Sequence, residues 1–328
     1  MSSFLLRRLA QAVPMLLGVT VLSFFLIKAA PGDFLDVMTS DMQMADPALI
    51  AHLRVTYGLD QPAWVQLGRY VWAVLHLDLG FSYRQGIPVI DAIGQRLPAT
   101  LLLVLTGIGA AVLIGTAAGV YAATRARRWG DRVVSMLGLF LYAATSFWVG
   151  LMFIVLFSVK LGWLPVGDIQ SFDVRSGFWS RVLDIGHHLI MPALSLGLFQ
   201  AGIYLRLTRA SMLEVAGLDF VRTAYAKGQT HRRVVWRHML RNALLPVVTL
   251  AGLQFGTVLG GSVVVETVFG WPGIGSLLYD GVLSRDYPIV LGTLILSAVV
   301  VLTVNLLTDL IYTRLDPRVN ISLHLLKL

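Results

Sequence analysis

The sequence predicts an all-α polytopic membrane protein with six transmembrane helices and both termini in the cytoplasm. Three observations predict it. Of 328 residues, 56% are hydrophobic and only 13% are charged, with a mean hydropathy of +0.75; soluble domains carry about 25% charged residues. Apolar runs of about 20 residues, the length that crosses a bilayer as a helix, recur along the chain. Basic residues are distributed unevenly between the connections on the two sides.

The six segments are 9–30, 100–124, 133–159, 189–205, 243–265 and 289–313. The fourth is the shortest, and a start nearer Gly186 is the alternative. With the N-terminus placed in the cytoplasm, the inner connections hold seventeen of the 26 Lys/Arg and the outer ones nine, whereas thirteen of the eighteen acids lie outside. Because Lys and Arg are retained on the cytoplasmic side, this asymmetry fixes the orientation. The chain then divides into a first segment with its span (1–30), a large outer loop (31–98) and a core of spans two to six (99–328) with a cytoplasmic loop at 206–242. Arg7-Arg8 ahead of an apolar run has the look of an export signal. That run is longer than a signal h-region and lacks a small-x-small site, so it reads as an uncleaved span.

Within the outer loop, Trp64, Leu67, Val71, Val74 and Leu75 follow a helical stripe, expected as an amphipathic helix on the outer surface or capping the spans. A second outer loop, 160–188, repeats the style with Phe178, Trp179, Val182 and Leu183.

The 206–246 stretch stands apart from this apolar frame. Between Arg206 and Arg241 it carries eight Lys/Arg against Glu214 and Asp219. Val215, Leu218, Val221 and Tyr225 fall at helical spacing and predict one apolar face. Gly228 is the expected helix stop, and Thr230 caps a second, basic helix. Asn242 is expected to cap the next span, with Pro246 in its first turn, where the missing N–H costs little. Such a polar knee between spans is built to touch something outside the bilayer.

Several chemistries are excluded. There is no cysteine, so disulfides, thiolate metal sites and Cys nucleophiles are absent. None of the four lysines follows a glycine, so no phosphate-binding Gly-Lys-Ser/Thr loop exists and ATP hydrolysis by that route is excluded. His187 and His188 are adjacent rather than at ligand spacing and read as an interfacial pair, while His231 and His238 add polarity to the knee. No Gly-x-Ser-x-Gly elbow is present. Asp309, near Asn305 and Arg314, reads as an interfacial carboxylate rather than a proton relay. No catalytic residue, metal ligand or cofactor of the chain's own is expected. The net charge of +8 follows from orientation and lipid contact rather than nucleic acid.

In the fifth span Gly252, Gly256 and Gly260 recur every fourth residue, with Gly261 adjacent, a stripe along which another helix backbone can approach. Gly115 and Gly119 form a shorter version in the second span. Gln254 and Thr257 add uncharged polar groups that suit a path for a polar solute. Tight packing and path lining both remain open for these residues. Beyond the span, Glu266 opens a run to Gly275, with Trp271 and Tyr287 expected as interfacial anchors, Pro272-Gly273 as a turn, and Arg285-Asp286-Tyr287-Pro288 further on.

The order of these pieces resembles the B-type inner-membrane permeases of the dipeptide/oligopeptide/nickel branch of ATP-binding-cassette importers. The matching residues are Arg7-Arg8-Leu9, Ala30-Pro31-Gly32-Asp33, Tyr57-Gly58-Leu59-Asp60-Gln61-Pro62, Asp78-Leu79-Gly80-Phe81-Ser82, Arg96-Leu97-Pro98-Ala99-Thr100, the run Asp219 to Gly228, Arg241 to Pro246, Glu266 to Gly275 and Arg285 to Pro288. The resemblance implies a type I importer fold with a coupling helix inside the knee. Arg222, Thr223, Ala224, Ala226, Lys227 and Gly228 would dock into an ATPase groove, Ala224, Ala226 and Gly228 forming a small-residue ridge. Gly252, Gln254, Gly256, Thr257 and Gly260 would serve the path or its packing, and Glu266, Trp271, Pro272 and Asp286 an outer gate. Arg222-Thr223-Ala224 stands where the broader pattern has Glu-Ala-Ala, Leu77 where the branch usually has Gly, and Gly228 lies further from Pro246 than in the broader pattern.

The implied partners are a second, related permease, two ATP-binding subunits that hold ATP and Mg, a periplasmic substrate-binding protein and membrane lipid, in a bacterial inner membrane. The competing readings are an ion-driven secondary transporter or channel working alone, and an intramembrane enzyme, for which no constellation is visible.

Overall fold

A computed structural model describes residues 2–29, 60–76, 78–82, 84–171 and 177–315, without the side chains of 2–9, Ile27 and 309–315. The Pro31-Gly32-Asp33 and Tyr57-Gly58-Leu59 motifs, Leu77, the carboxylate of Asp309 and the chain after Leu315 lie outside the described residues. In chain order the helices are α1 (Ser2–Ala29), α2 (Ala63–Leu75), α3 (Val89–Thr124), α4 (Trp129–Ala143), α5 (Ser146–Lys160), α6 (Phe178–Ala216), α7 (Asp219–Ala226), α8 (His231–Val268), α9 (Ile274–Leu283) and α10 (Tyr287–Leu315). A two-residue antiparallel hairpin, β1 (Phe81–Ser82) with β2 (Ile87–Pro88), precedes α3, Phe81 facing Pro88 and Ser82 facing Ile87.

Among the described residues, four helices are long and apolar enough to cross a membrane: α3, α6, α8 and α10 over Tyr287–Thr308. A fifth is reached by counting α4 and α5 together, but these meet at 101°. The segment 133–159, expected as one straight span, is therefore two helices. The break falls at Ala144–Thr145, both extended, and Thr145 begins the second helix by accepting the Val149 N–H at 3.2 Å. From Ile154 to Lys160 the helix widens to a π form. Among the described side chains, the apolar part of α1 (Ala10–Leu26) is shorter than a full span.

Other boundaries also move. α6 is the longest helix, 39 residues, and absorbs Phe178, Trp179, Val182 and Leu183 from the expected outer loop. Its small residues explain why it can pack on several sides. A methyl at Gly115 or Gly119 of α3 would run into Tyr204 or Thr208, one at Gly197 would meet the Gly107 carbonyl, and one at Gly202 would meet the Gly138 carbonyl of α4. Tight approach replaces the hydrophobic effect where lipid surrounds the helices. α8 starts at His231 and runs unbroken past Asn242 and Pro246, so neither residue begins a helix. Val234, Val235, Met239, Leu240 and Ala243 are buried on one side and hold it helical; a π turn over Val234–Met239 absorbs the irregularity, and Asn242 Nδ2 donates to His238 O at 2.8 Å.

The chain forms two compact units, Met1–Pro98 with Gly273–Thr303 and Ala99–Pro272 with Val304–Leu328. In the first, α2 lies on α1, with Tyr70 stacked on Phe24 and Lys28 Nζ donating to Gln66 Oε1 at 3.5 Å. Leu67, Val71 and Val74 of the stripe are half-buried, whereas Trp64 and Leu75 face outward. Val89, Ala92 and Ile93 open α3 early because they bury against Leu79, Ile274, Leu277 and Ile289. In the second unit α6 is central, packed by α3, α4, α5 and α8.

Candidate functional site

The knee is built by interrupting a helix twice. α6 ends at Ala216, and Leu218 turns extended ahead of α7, whose first-turn Asp219 suits the positive end of a helix. α7 stops after Lys227. Gly228 takes φ +73°, and its N–H donates to Tyr225 O at 2.9 Å, a left-handed helix ending that glycine adopts without Cβ strain. Thr230 stands extended at the start of α8 without a side-chain cap bond.

What keeps the knee rigid is an apolar core beneath it. Val221 and Ala224 of α7 bury among Val120 and Ala123 of α3, Met212 and Val215 of α6, and Val234, Val235, Met239, Leu240 and Ala243 of α8. Two histidines brace it. His231 stacks on Tyr225 and shares a 2.7 Å hydrogen bond with its hydroxyl, and His238 bonds Gln229 Oε1 at 2.8 Å. His231 ties α8 to α7 and His238 ties α8 to the turn between them, rather than merely adding polarity.

The expected small-residue ridge is split. Ala224 points into the core, while Ala226 and Gly228 are exposed with Arg222, Thr223 and Lys227. The apolar face is likewise divided, since Val215 and Val221 are buried but Leu218 and Tyr225 are exposed. The outward face of α7 is thus Arg222, Thr223, Ala226 and Lys227 flanked by the aromatic rings of Phe220 and Tyr225. The exposed Arg222–Asp219 contact, 3.7 Å, adds little. Phe220 escaped sequence reading because an isolated aromatic beside a buried valine resembles core.

The residues expected at an outer gate are held in two sets. In the larger unit Glu266 is fully buried at the end of α8, accepting from Thr100 Oγ1 at 2.8 Å and Ser262 Oγ at 3.2 Å. Its carbonyl receives the Trp271 N–H at 2.8 Å, and the indole N–H donates to Ala99 O at 2.9 Å. Trp271 is 0% exposed and so is no interfacial anchor. Its indole is a plug whose one polar group is satisfied. Phe269 beside it is buried, and its carbonyl accepts the Asp168 N–H at 2.9 Å. Pro272 is half-buried. Asp286 belongs to the other unit, where it accepts from Ser82 Oγ and, at 3.4 Å, from the Ile289 N–H at the start of α10.

The glycine stripe of α8 serves two situations. Gly252 abuts Thr308 of α10, leaving no room for a methyl, whereas Gly260 and Gly261 face open space. Gly256 and Gln254 are half-buried; Thr257 is exposed and donates to Gln254 O at 2.8 Å. Among the described residues no cluster of three His, Asp or Glu could hold a metal.

Several long apolar helices with close glycine contacts define a multi-pass membrane protein. Residues 115–321 match the family described as binding-protein-dependent transport system inner membrane component, and residues 1–104 match its N-terminal companion. The chain belongs to that family of transport permeases. It is 40% identical over 324 residues to the oligopeptide transport system permease protein AppB of Bacillus subtilis, covering 97% of this chain and 99% of that protein. It is 39% identical over 336 residues to the dipeptide transport system permease protein DppB of Escherichia coli K12, with the same coverage. Among solved structures, two inward-facing crystal forms of the MetNI methionine ABC transporter share its fold with TM-scores of 0.55 and 0.56. Both are 17% identical; they cover 69% of this chain and 97% and 96% of the matched chains.

Proposed function

We propose that this chain is the B-type permease of an ATP-driven importer, forming half of a path for peptides or similar small solutes. Its companions are a second permease, two ATP-binding subunits that carry ATP and Mg, and a periplasmic binding protein. The observation that carries the reading is the outward face of α7: a short helix on a rigid apolar bed, presenting Arg222, Thr223, Ala226 and Lys227 between two exposed rings. A groove on an ATPase subunit with carboxylates on its rim complements that face. Closure of two such grooves moves the knees and rocks the spans, opening a path alternately to each side. The six-span count, cytoplasmic termini and bacterial inner-membrane location belong to the same proposal. So do the division into a first segment with its span (1–30), a periplasmic loop (31–98) and a core (99–328), roles for Gly252, Gln254, Gly256, Thr257 and Gly260 in the path or its packing, and roles for Glu266, Trp271, Pro272 and Asp286 at the outer gate. Arg232, Arg233 and Arg237 around the exposed Trp236 face anionic lipid headgroups.

Gentle solubilisation of the tagged chain from its native membrane tests this. An ATPase subunit is expected to copurify, and Lys227→Glu with Gly228→Asp is expected to abolish that association while leaving membrane insertion intact. Uphill uptake by the chain alone in liposomes, driven only by an ion gradient, would establish a self-contained transporter instead.

A further inference from the structure

α4 lies along α6 through three contacts. Near the break, Tyr142 stacks on Phe199 with ring centres 5.6 Å apart, and Arg206 Cζ sits 4.8 Å over the Tyr142 ring. Midway, the backbones touch at Gly138 and Gly202. At the far end Arg209 forks onto Asp131, Nε donating to Oδ1 at 2.6 Å and Nη2 to Oδ2 at 2.8 Å. The Arg127 N–H also donates to Oδ2 at 2.9 Å and Ser135 Oγ to Oδ1 at 3.3 Å. The Asp131 side chain is 5% exposed. Arg127 takes φ +66°, a conformation non-glycine residues adopt reluctantly, and in it hands its N–H to the carboxylate.

A two-pronged Arg–carboxylate contact fixes distance and orientation together. Ten residues past Arg209 the knee helix begins, and Met212 and Val215 between them are sealed into the knee's core. The geometry points to Asp131 and Arg209 as positioning residues for coupling. Their fork makes α4 travel with the knee-bearing end of α6, so that a displacement of α7 arrives at the 101° break instead of dissipating in the α3–α4 turn. The inference rests on the proposed docking of an ATPase at α7. It also removes Arg209 from the charges available to that partner.

The absence of cysteine lets a spin-label pair at Met136→Cys and Leu213→Cys, both exposed, report on α4 and α6 alone within this chain. In the complex copurified with its ATPase, the label distance is expected to stay narrow and unchanged between the nucleotide-free state and ATP with vanadate. Asp131→Asn should broaden it and make it depend on nucleotide, with the ATPase still bound. Arg209→Lys, which keeps the charge but not the fork, should broaden it less. The Asp131→Asn, Arg209→Gln double variant should be no worse than either single change. A distance that shifts with nucleotide in the otherwise native chain, or additive effects in the double variant, would overturn the inference. Should no ATPase copurify, the docking reading fails by itself. The fork is then tested on the permease alone, where a distribution indifferent to Asp131→Asn sinks it.

Discussion

The knee and the Glu266–Trp271 turn both follow long apolar helices, yet they are finished in opposite ways. The knee commits only Val221 and Ala224 of α7 to its core and leaves rings and cations outward. The turn buries Glu266, Phe269 and Trp271 and pairs the indole and carboxylate internally. The face proposed to dock an ATPase keeps its chemistry available, whereas the turn uses its own up inside. The same sequence signals, an aromatic and a charge beside a glycine, mark both.

The comparison can be broken most forcefully at Trp271. Trp271→Ala removes a fully buried ring and its bond to Ala99, and should cost about 3–5 kcal/mol, read as lost folded protein in detergent melting. Gly202→Ala forces a methyl against the Gly138 carbonyl and should cost about 2 kcal/mol by the same measurement. Thr100→Val withdraws one donor from the buried Glu266 and should cost about 1 kcal/mol, small because Ser262 still donates. Gly260→Ala, pointing into open space, should stay within about 0.5 kcal/mol. At the knee the order reverses: Arg222→Ala with Lys227→Ala should leave the melting curve in place but weaken ATPase copurification. A melting loss there comparable to Trp271→Ala would erase the distinction between the two regions.

Much of this was legible in the sequence because its causes are local. Hydropathy located the long helices α3, α8 and α10, and Gly228 marked the end of α7 because the required φ is one glycine supplies. The extent of α6 was hidden by Arg181, Asp184 and the two histidines, which lower hydropathy in a stretch held helical by neighbours. The break after Ala143 carries no proline or glycine, only Thr145 and Ser146 able to begin a new helix. At the site, the exposed cations and Ala226 could be read from the local pattern. The inward turn of Ala224, the burial of Trp271 and the Asp131–Arg209 fork could not, because each depends on residues 78 or more positions away or on which side a helix meets its neighbours.

The touching backbones at Gly138 and Gly202 carry a consequence for how such chains can change over time. A methyl at 202 would run into the Gly138 carbonyl, so α6 can gain bulk there only if α4 retreats, whereas a methyl at 138 would meet the Leu205 side chain. A lineage carrying alanine at 202 with full activity would therefore mean the crossing had been rebuilt.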